Sequence, residues 1–229
     1  MTRRTLKSRS TYFTVIKPGT EGTGFFDDAC KKFYLCRLLH CQHTFQIRLH
    51  AYLLLDQQIF LLFTPLTPSS FHSFLGYLNR VYNDYYLVRF ERKVKVWRGA
   101  PLISLLPSDK LVLDCQKFLE RFTLKAENNN HPGEYLYSSY CSNAFSVIPK
   151  PLIRHKAFIQ FLRKEVGSLG SYRDFIATPF RVQYEYFLQS RLLEGRPLLR
   201  LRYANQARER QYFDRYREKR HNIRNITPL

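Results

Sequence analysis

Acidic residues are scarce in this chain. It has 18 Asp and Glu against 37 Lys and Arg in 229 residues, a formal net charge of +19. A surplus that large repels itself in the compact state, and a polyanion relieves it. DNA, RNA and an anionic membrane surface are the candidates. Long hydrophobic runs are missing too. No stretch reaches the roughly 18–20 apolar residues needed to cross a bilayer. The run from Ala51 to Pro65 is interrupted by Asp56, Gln57 and Gln58 and reads as two strands. No apolar signal-peptide core follows the basic N-terminus. These absences set the membrane aside and predict a cytoplasmic protein, nucleoid-associated if its polyanion is DNA.

Cysteine is sparse and its pattern is not that of a metal site. Cys30, Cys36, Cys41, Cys115 and Cys141 form an odd set with no CxxC pair. Zinc is not expected, and reduced thiols packed as small apolar groups are. Cys36 and Cys41, with His40 and His43 nearby, are the one grouping that could suggest a metal. A Gly-rich phosphate loop and a G-x-S-x-G motif are both absent, so neither a P-loop nor a nucleophile elbow is expected.

What is present is core and charge. Hydrophobic residues make up 45% of the chain, enough for a folded core. The charge gathers at the two ends. Arg3, Arg4, Lys7 and Arg9 make a basic arm. Between Arg196 and Arg224 lie ten Lys or Arg, and only Glu209, Asp214 and Glu218 oppose them. Arg outnumbers Lys in that tail, and its planar fork suits phosphate.

The periodicity predicts a strand over 12–17, ended by Pro18-Gly19, and a helix over 29–43 with Asp27 or Asp28 as its cap. Strands follow over 45–55 and 59–64, then a helix over 71–89 and a strand or hairpin over 92–97. Leu102 to Leu106 is a further apolar run. A helix capped by Ser108 or Asp109 runs to about Thr123, and 127–134 is a loop. The first six elements match a split βαβ pattern. The expected fold class is α+β: a ferredoxin-like antiparallel sheet with helices on one face, followed by a helical C-terminal extension. The expected segments are a flexible arm over 1–9, a domain over 10–148 and a helical region over 149–229. Helices in that last region are expected around 152–167, 170–177, 179–193 and 198–221.

The residues from Tyr12 to about Phe145 carry a resemblance. Tyr12…Pro18-Gly19 and Phe26-Asp27-Asp28 come first, followed by Arg48-Leu49-His50-Ala51-Tyr52 and then Leu61-Leu62 with Pro65. Leu78-Asn79, Tyr82 and Tyr85 follow, then Trp97-Arg98-Gly99 and Tyr137-Ser138-Ser139-Tyr140. In order and spacing these resemble the single-tyrosine transposases of the IS200/IS605 type, and within them the REP-associated tyrosine transposases. The resemblance implies cleavage and rejoining of single-stranded DNA at hairpins. Two histidines of an HUH motif would hold a divalent cation that polarises the scissile phosphate, and a helix-borne tyrosine would attack it.

The matching positions lack the needed groups. The family's "PNHxH" falls on Asp56-Gln57-Gln58-Ile59-Phe60, so the two metal histidines become Gln58 and Phe60. The nucleophile's position falls on Phe118. A benzene ring neither ligates a metal nor attacks phosphorus. The resemblance therefore implies a domesticated, catalytically inactive DNA-binding protein, a regulator of transcription or genome structure, with no metal and no cofactor. Two alternatives stay open. One is an active transposase or nuclease with a displaced site, which would need Mg²⁺ or Mn²⁺. The other is an RNA-binding ribonucleoprotein subunit. Hairpin or single-stranded DNA is the expected partner, with duplex DNA also open, and neither a monomer nor a homodimer is favoured.

A single strand is held by a cationic track and by rings on which bases stack. Two clusters supply both. Arg89, Arg92, Lys93, Lys95 and Arg98 surround Phe90 and Trp97. Arg208, Arg210, Arg215, Arg217, Lys219 and Arg220 surround Tyr212, Phe213 and Tyr216.

Overall fold

Residues 11–16 form strand β1 (Thr11–Ile16), buried along its whole length. The computed structural model describes residues 6–18, 24–25, 27–93, 95–97, 100–127, 129–146, 152–164, 169–196 and 198. Helix α1 (Asp28–Cys41) follows, with Asp27 accepting the Cys30 N–H at 2.9 Å as N-cap. Strands β2 (Ile47–Leu55) and β3 (Gln58–Pro65) form a hairpin about Asp56-Gln57. Gly24 packs against that turn. Its φ is +145°, and a Cβ there would lie 2.2 Å from the Asp56 carbonyl oxygen, so only glycine fits. Lys31 bonds the Asp56 carboxylate at 2.6 Å and holds the same turn.

Helix α2 (Ser70–Phe90) buries Phe71, Phe74, Leu75, Leu78, Tyr82 and Tyr86, a stripe at helical spacing. It stops at Glu91, whose φ is +53°. Strand β4 (Leu102–Leu106) completes an antiparallel sheet of order β2-β3-β1-β4. This is the ferredoxin-like arrangement that the split βαβ pattern predicts. The fourth strand is 102–106, however, and not 92–97. Asn83 Oδ1 accepts the Val96 N–H at 2.9 Å, and Asn79 Nδ2 donates to the Trp97 carbonyl at 3.0 Å. Those bonds tie Val96 and Trp97 to α2, and both side chains enter the core.

The remaining helices are α3 (Asp109–Arg121), α4 (Thr123–Ala126), α5 (Tyr140–Phe145), α6 (Lys156–Lys164), α7 (Leu169–Ala177) and α8 (Val182–Leu193). Ser108 caps α3 through the Leu111 N–H. Strand alternation sends side chains to two faces. Tyr12, Ile16, Tyr52, Ile59, Leu61 and Phe63 meet α1 and α2. Phe13, Val15, Ala51, Leu53, Phe60 and Leu62 meet α3 and Leu188 and Leu192 of α8. Helices therefore cover both faces, where one covered face was expected. The second face is covered by α3, which packs on β2, β3 and β4, and by α8 from beyond residue 148, which packs on β1 and β4. The described residues before and after 148 belong to one compact unit, Met1–Leu198.

The β2 edge of the sheet is closed by chain. Leu54 N–H donates to the Tyr137 carbonyl and Ser139 N–H to the Tyr52 carbonyl, each at 2.9 Å, so Tyr137–Ser139 lies along β2. Gly195, at φ +65°, lies against Leu102 and Ile103 of β4. Leu6 is buried, and Arg9 N–H donates to the Pro65 carbonyl at 2.7 Å, so the described part of the N-terminal arm is fastened to the sheet. The helix expected over 198–221 lies outside the described residues apart from Leu198.

Candidate nucleic-acid interface

Strand β3 and helix α3 bring Phe60 and Phe118 into one cluster on the second face of the sheet. Phe60 is fully buried and Phe118 is 3% exposed. They share two ring neighbours. Phe13 lies 5.9 Å from Phe60 and 6.3 Å from Phe118 between ring centroids. Phe122 lies 5.0 Å from Phe60 and 5.5 Å from Phe118. Gln58, two residues before Phe60 on the same face, is half-buried at the start of β3. The residues at the positions implied for the metal pair do not fit a divalent cation. Phe60 has no donor atom, and Gln58 offers one amide oxygen. Among the described residues, no group of three His, Cys, Asp or Glu could hold a metal ion.

The other side of α3 is polar and buried, which sequence reasoning did not foresee. Glu120 is fully buried and is in no ion pair among the described residues. Its Oε1 accepts from Asn143 Nδ2 at 2.7 Å and from Ser139 Oγ at 3.2 Å, and its Oε2 accepts from Tyr172 OH at 2.7 Å. Gln116 Nε2 donates to the same Tyr172 oxygen at 2.7 Å. Burial pushes the Glu120 carboxyl up to about 7, against the pull of its four hydrogen-bonding neighbours. The sequence signal was three polar residues at helical spacing, Gln116, Lys117 and Glu120, on a helix whose other side is apolar. One helical turn away, Lys117 lies between the rings of Phe175 and Phe180, at 4.4 and 4.7 Å. Burial lowers its pKa.

A second network crosses the lower end of the same face. His50 is the bulged residue between the Leu49↔Phe63 and Ala51↔Leu62 pairs. Its Nδ1 bonds the Ile153 carbonyl, so Nδ1 carries the proton and Nε2 accepts from Thr64 Oγ1 at 2.9 Å. His155 Nδ1 accepts the Ala157 N–H at 3.0 Å, so its Nε2 donates to Thr11 Oγ1 at 2.9 Å. The two hydroxyls meet at 3.0 Å. Fixed at both ends, the chain runs in one direction, from His155 through Thr11 and Thr64 to His50. Burial holds His50 uncharged, with its pKa lowered to about 3, and lowers His155 as well.

The first basic cluster is only partly available. Arg92, Lys93 and Lys95 are exposed and in no ion pair among the described residues. Arg89 grips both oxygens of Asp27 and donates to Tyr85 OH at 2.7 Å, which joins the end of α2 to the cap of α1. The Cys30 N–H, with Arg89 beside it, keeps the Asp27 carboxyl below its ordinary value. Trp97, expected as a stacking platform, is 2% exposed, with Phe25, Tyr34 and Tyr82 around its ring. Its large apolar area is worth more against those rings than in water, so it offers no face to a base. Arg98 and the second cluster, Arg208, Arg210, Arg215, Arg217, Lys219 and Arg220, lie outside the described residues.

With this geometry, the chain is similar to a solved structure of a REP-associated tyrosine transposase bound to a REP hairpin. The TM-score is 0.54, over 69% of this chain and 95% of that one, at 10% sequence identity. The protein thus has a transposase-like α+β fold. A bacterial tRNA(His) guanylyltransferase-like protein in complex with GTP superposes with a TM-score of 0.38, over 58% of this chain and 72% of that one, at 10% identity. No protein-family model matches the sequence, and no curated protein does. No described helix is long and apolar enough to cross a membrane.

Proposed function

We propose that this protein binds DNA, as a hairpin or a single strand, on a transposase-like fold and does not cut it. One observation carries this reading: the Phe13, Phe60, Phe118 and Phe122 cluster. The resemblance implies a metal ligand at 60 and an attacking oxygen at 118. Both positions here are closed by hydrocarbon, and Leu188 and Leu192 of α8 cover the same face. No step of phosphoryl transfer can be assigned to rings without a donor atom. The net charge of +19 supports a polyanionic partner. Arg92, Lys93 and Lys95, with the Arg-rich tail, are the proposed phosphate contacts. The fold it shares with a hairpin-bound transposase makes a DNA hairpin the first candidate.

The test is to recover nucleic acid from a pool of DNA and RNA hairpins and duplexes, with Mg²⁺ or Mn²⁺ present, and to sequence both the enriched species and their ends. Intact, enriched DNA hairpins are expected. Cut ends or a protein–DNA adduct would overturn the inactive reading, and enriched RNA would overturn the choice of DNA.

A further inference from the structure

At the end of the sheet remote from Gln58 and Phe60, three arginines from distant segments have their backbone anchored. Thr64 lies six residues along β3 from Gln58, or about 20 Å at strand rise. Arg48 is the Cα partner of Thr64, so its side chain leaves the same face of the sheet. Arg9 is fastened beside them by its N–H to the Pro65 carbonyl. Arg154 sits between Ile153, whose carbonyl bonds His50, and His155, which bonds Thr11. The last steps of β3 and the His50 to His155 network thus anchor the backbone of all three near this end of the sheet.

Among the described residues, no carboxylate pairs with these cations. Arg9 and Arg48 are exposed and in no ion pair among the described residues. Arg154 donates to the Ser146 hydroxyl at 2.8 Å and lies over the Phe158 ring, both uncharged. Beneath them the buried polar groups are two threonines and two imidazoles, not carboxylates. Among the described residues, the one carboxylate facing His155 is Asp109, which is 3.5 Å from Lys156. Arg9 also holds φ at +59°, a left-handed conformation that glycine adopts more easily. The chain keeps an arginine there despite that cost.

We propose that Arg9, Arg48 and Arg154 form a phosphate-binding surface for the backbone of a DNA hairpin stem, separate from the cluster at 92–95. The inference rests on the DNA-binding reading above and adds a second place of contact. Planar guanidinium groups on a rigid sheet end suit backbone phosphates, which fix the position of a stem without reading its sequence. Burial favours the uncharged form of both imidazoles beneath this surface.

The experiment is the salt dependence of hairpin binding by fluorescence anisotropy, with the full chain, R9Q/R48Q and R9Q/R48Q/R154Q. Each lost phosphate contact lowers the slope of log K against log salt by about 0.9. The double variant is therefore expected to lose about 2 units of slope and the triple variant about 3, with unchanged melting midpoints. If the double variant does not fold, Arg48→Gln alone carries the test with a loss of about 1. Wild-type slope in a folded variant overturns this surface and leaves the DNA-binding reading standing. A wild-type chain that binds no nucleic acid overturns both. Equal slope losses on an RNA stem bound more tightly than DNA overturn the choice of DNA. Lost retention on anionic vesicles with unchanged hairpin affinity assigns the surface to lipid headgroups and overturns the inference.

Discussion

Phe118 on α3 packs against Phe13 on β1 with ring centroids 6.3 Å apart and planes inclined at 63°. The edge of one ring meets the other, a favoured aromatic geometry. The helix position that resembles a nucleophile's is thereby a core position.

Phe118→Tyr is expected to produce no strand cleavage in Mg²⁺ or Mn²⁺, because the neighbouring rings hold no metal. The new hydroxyl enters an apolar cluster and costs about 1–3 kcal/mol if it finds no partner. Denaturant unfolding and a hairpin nicking assay check the two halves. Nicking by this single variant would show that a metal is held elsewhere.

Glu120→Gln is expected to remove a pH dependence. Its folded pKa of about 7 lies above the ordinary 4.5, so the folded state holds the proton more tightly. The stability this contributes is fully present below pH 4.5 and is lost as pH rises through 7, about 3 kcal/mol in all. Wild type should therefore gain stability relative to the variant as pH falls from 8 to 5. His50 and His155, whose lowered pKa values act in the opposite sense, are common to both proteins and cancel in the difference. Equal curves in both proteins would mean that Glu120 is ionised throughout.

Gly195→Ala is expected to destabilise by about 1–3 kcal/mol. Its φ is +65°, and the new Cβ would lie 3.0 Å from Leu102 Cβ and 3.1 Å from Ile103 N. Thermal unfolding reads the loss, and amide exchange at β4 should rise with it.

Deleting residues 199–229 is expected to weaken DNA binding and to flatten its salt dependence, since the segment carries the second arginine cluster. The cut falls after Leu198 because that side chain is buried in the second core. An unchanged slope in the truncated protein would move the contacts to residues 1–198.

Much of the fold was legible because it rests on neighbours in sequence. Asp27 and Ser108 mark helix starts, and the apolar runs on either side of Asp56-Gln57 mark a hairpin. The segment 92–97 misled because alternating basic and apolar residues look the same in a strand and in a loop pinned from outside. Here the pins are Asn79 and Asn83. In the candidate site, the missing donor atoms at 60 and 118 could be read directly. The loss of Arg89 to Asp27 and of Trp97 to the core could not, since Arg89 and Asp27 are 62 residues apart.

By itself the sequence determined the charge surplus, the order of strands and helices through the helix that follows the hairpin, and the chemistry absent at 60 and 118. These depend on composition, on spacings of two to four residues, and on side-chain identity. Only the tertiary structure decided that helices cover both faces, that Glu120 is buried with no ion pair among the described residues, and that the backbones of Arg9, Arg48 and Arg154 are anchored at one end of the sheet. Each of these depends on contacts between segments distant along the chain, set by how the sheet and its two cores pack.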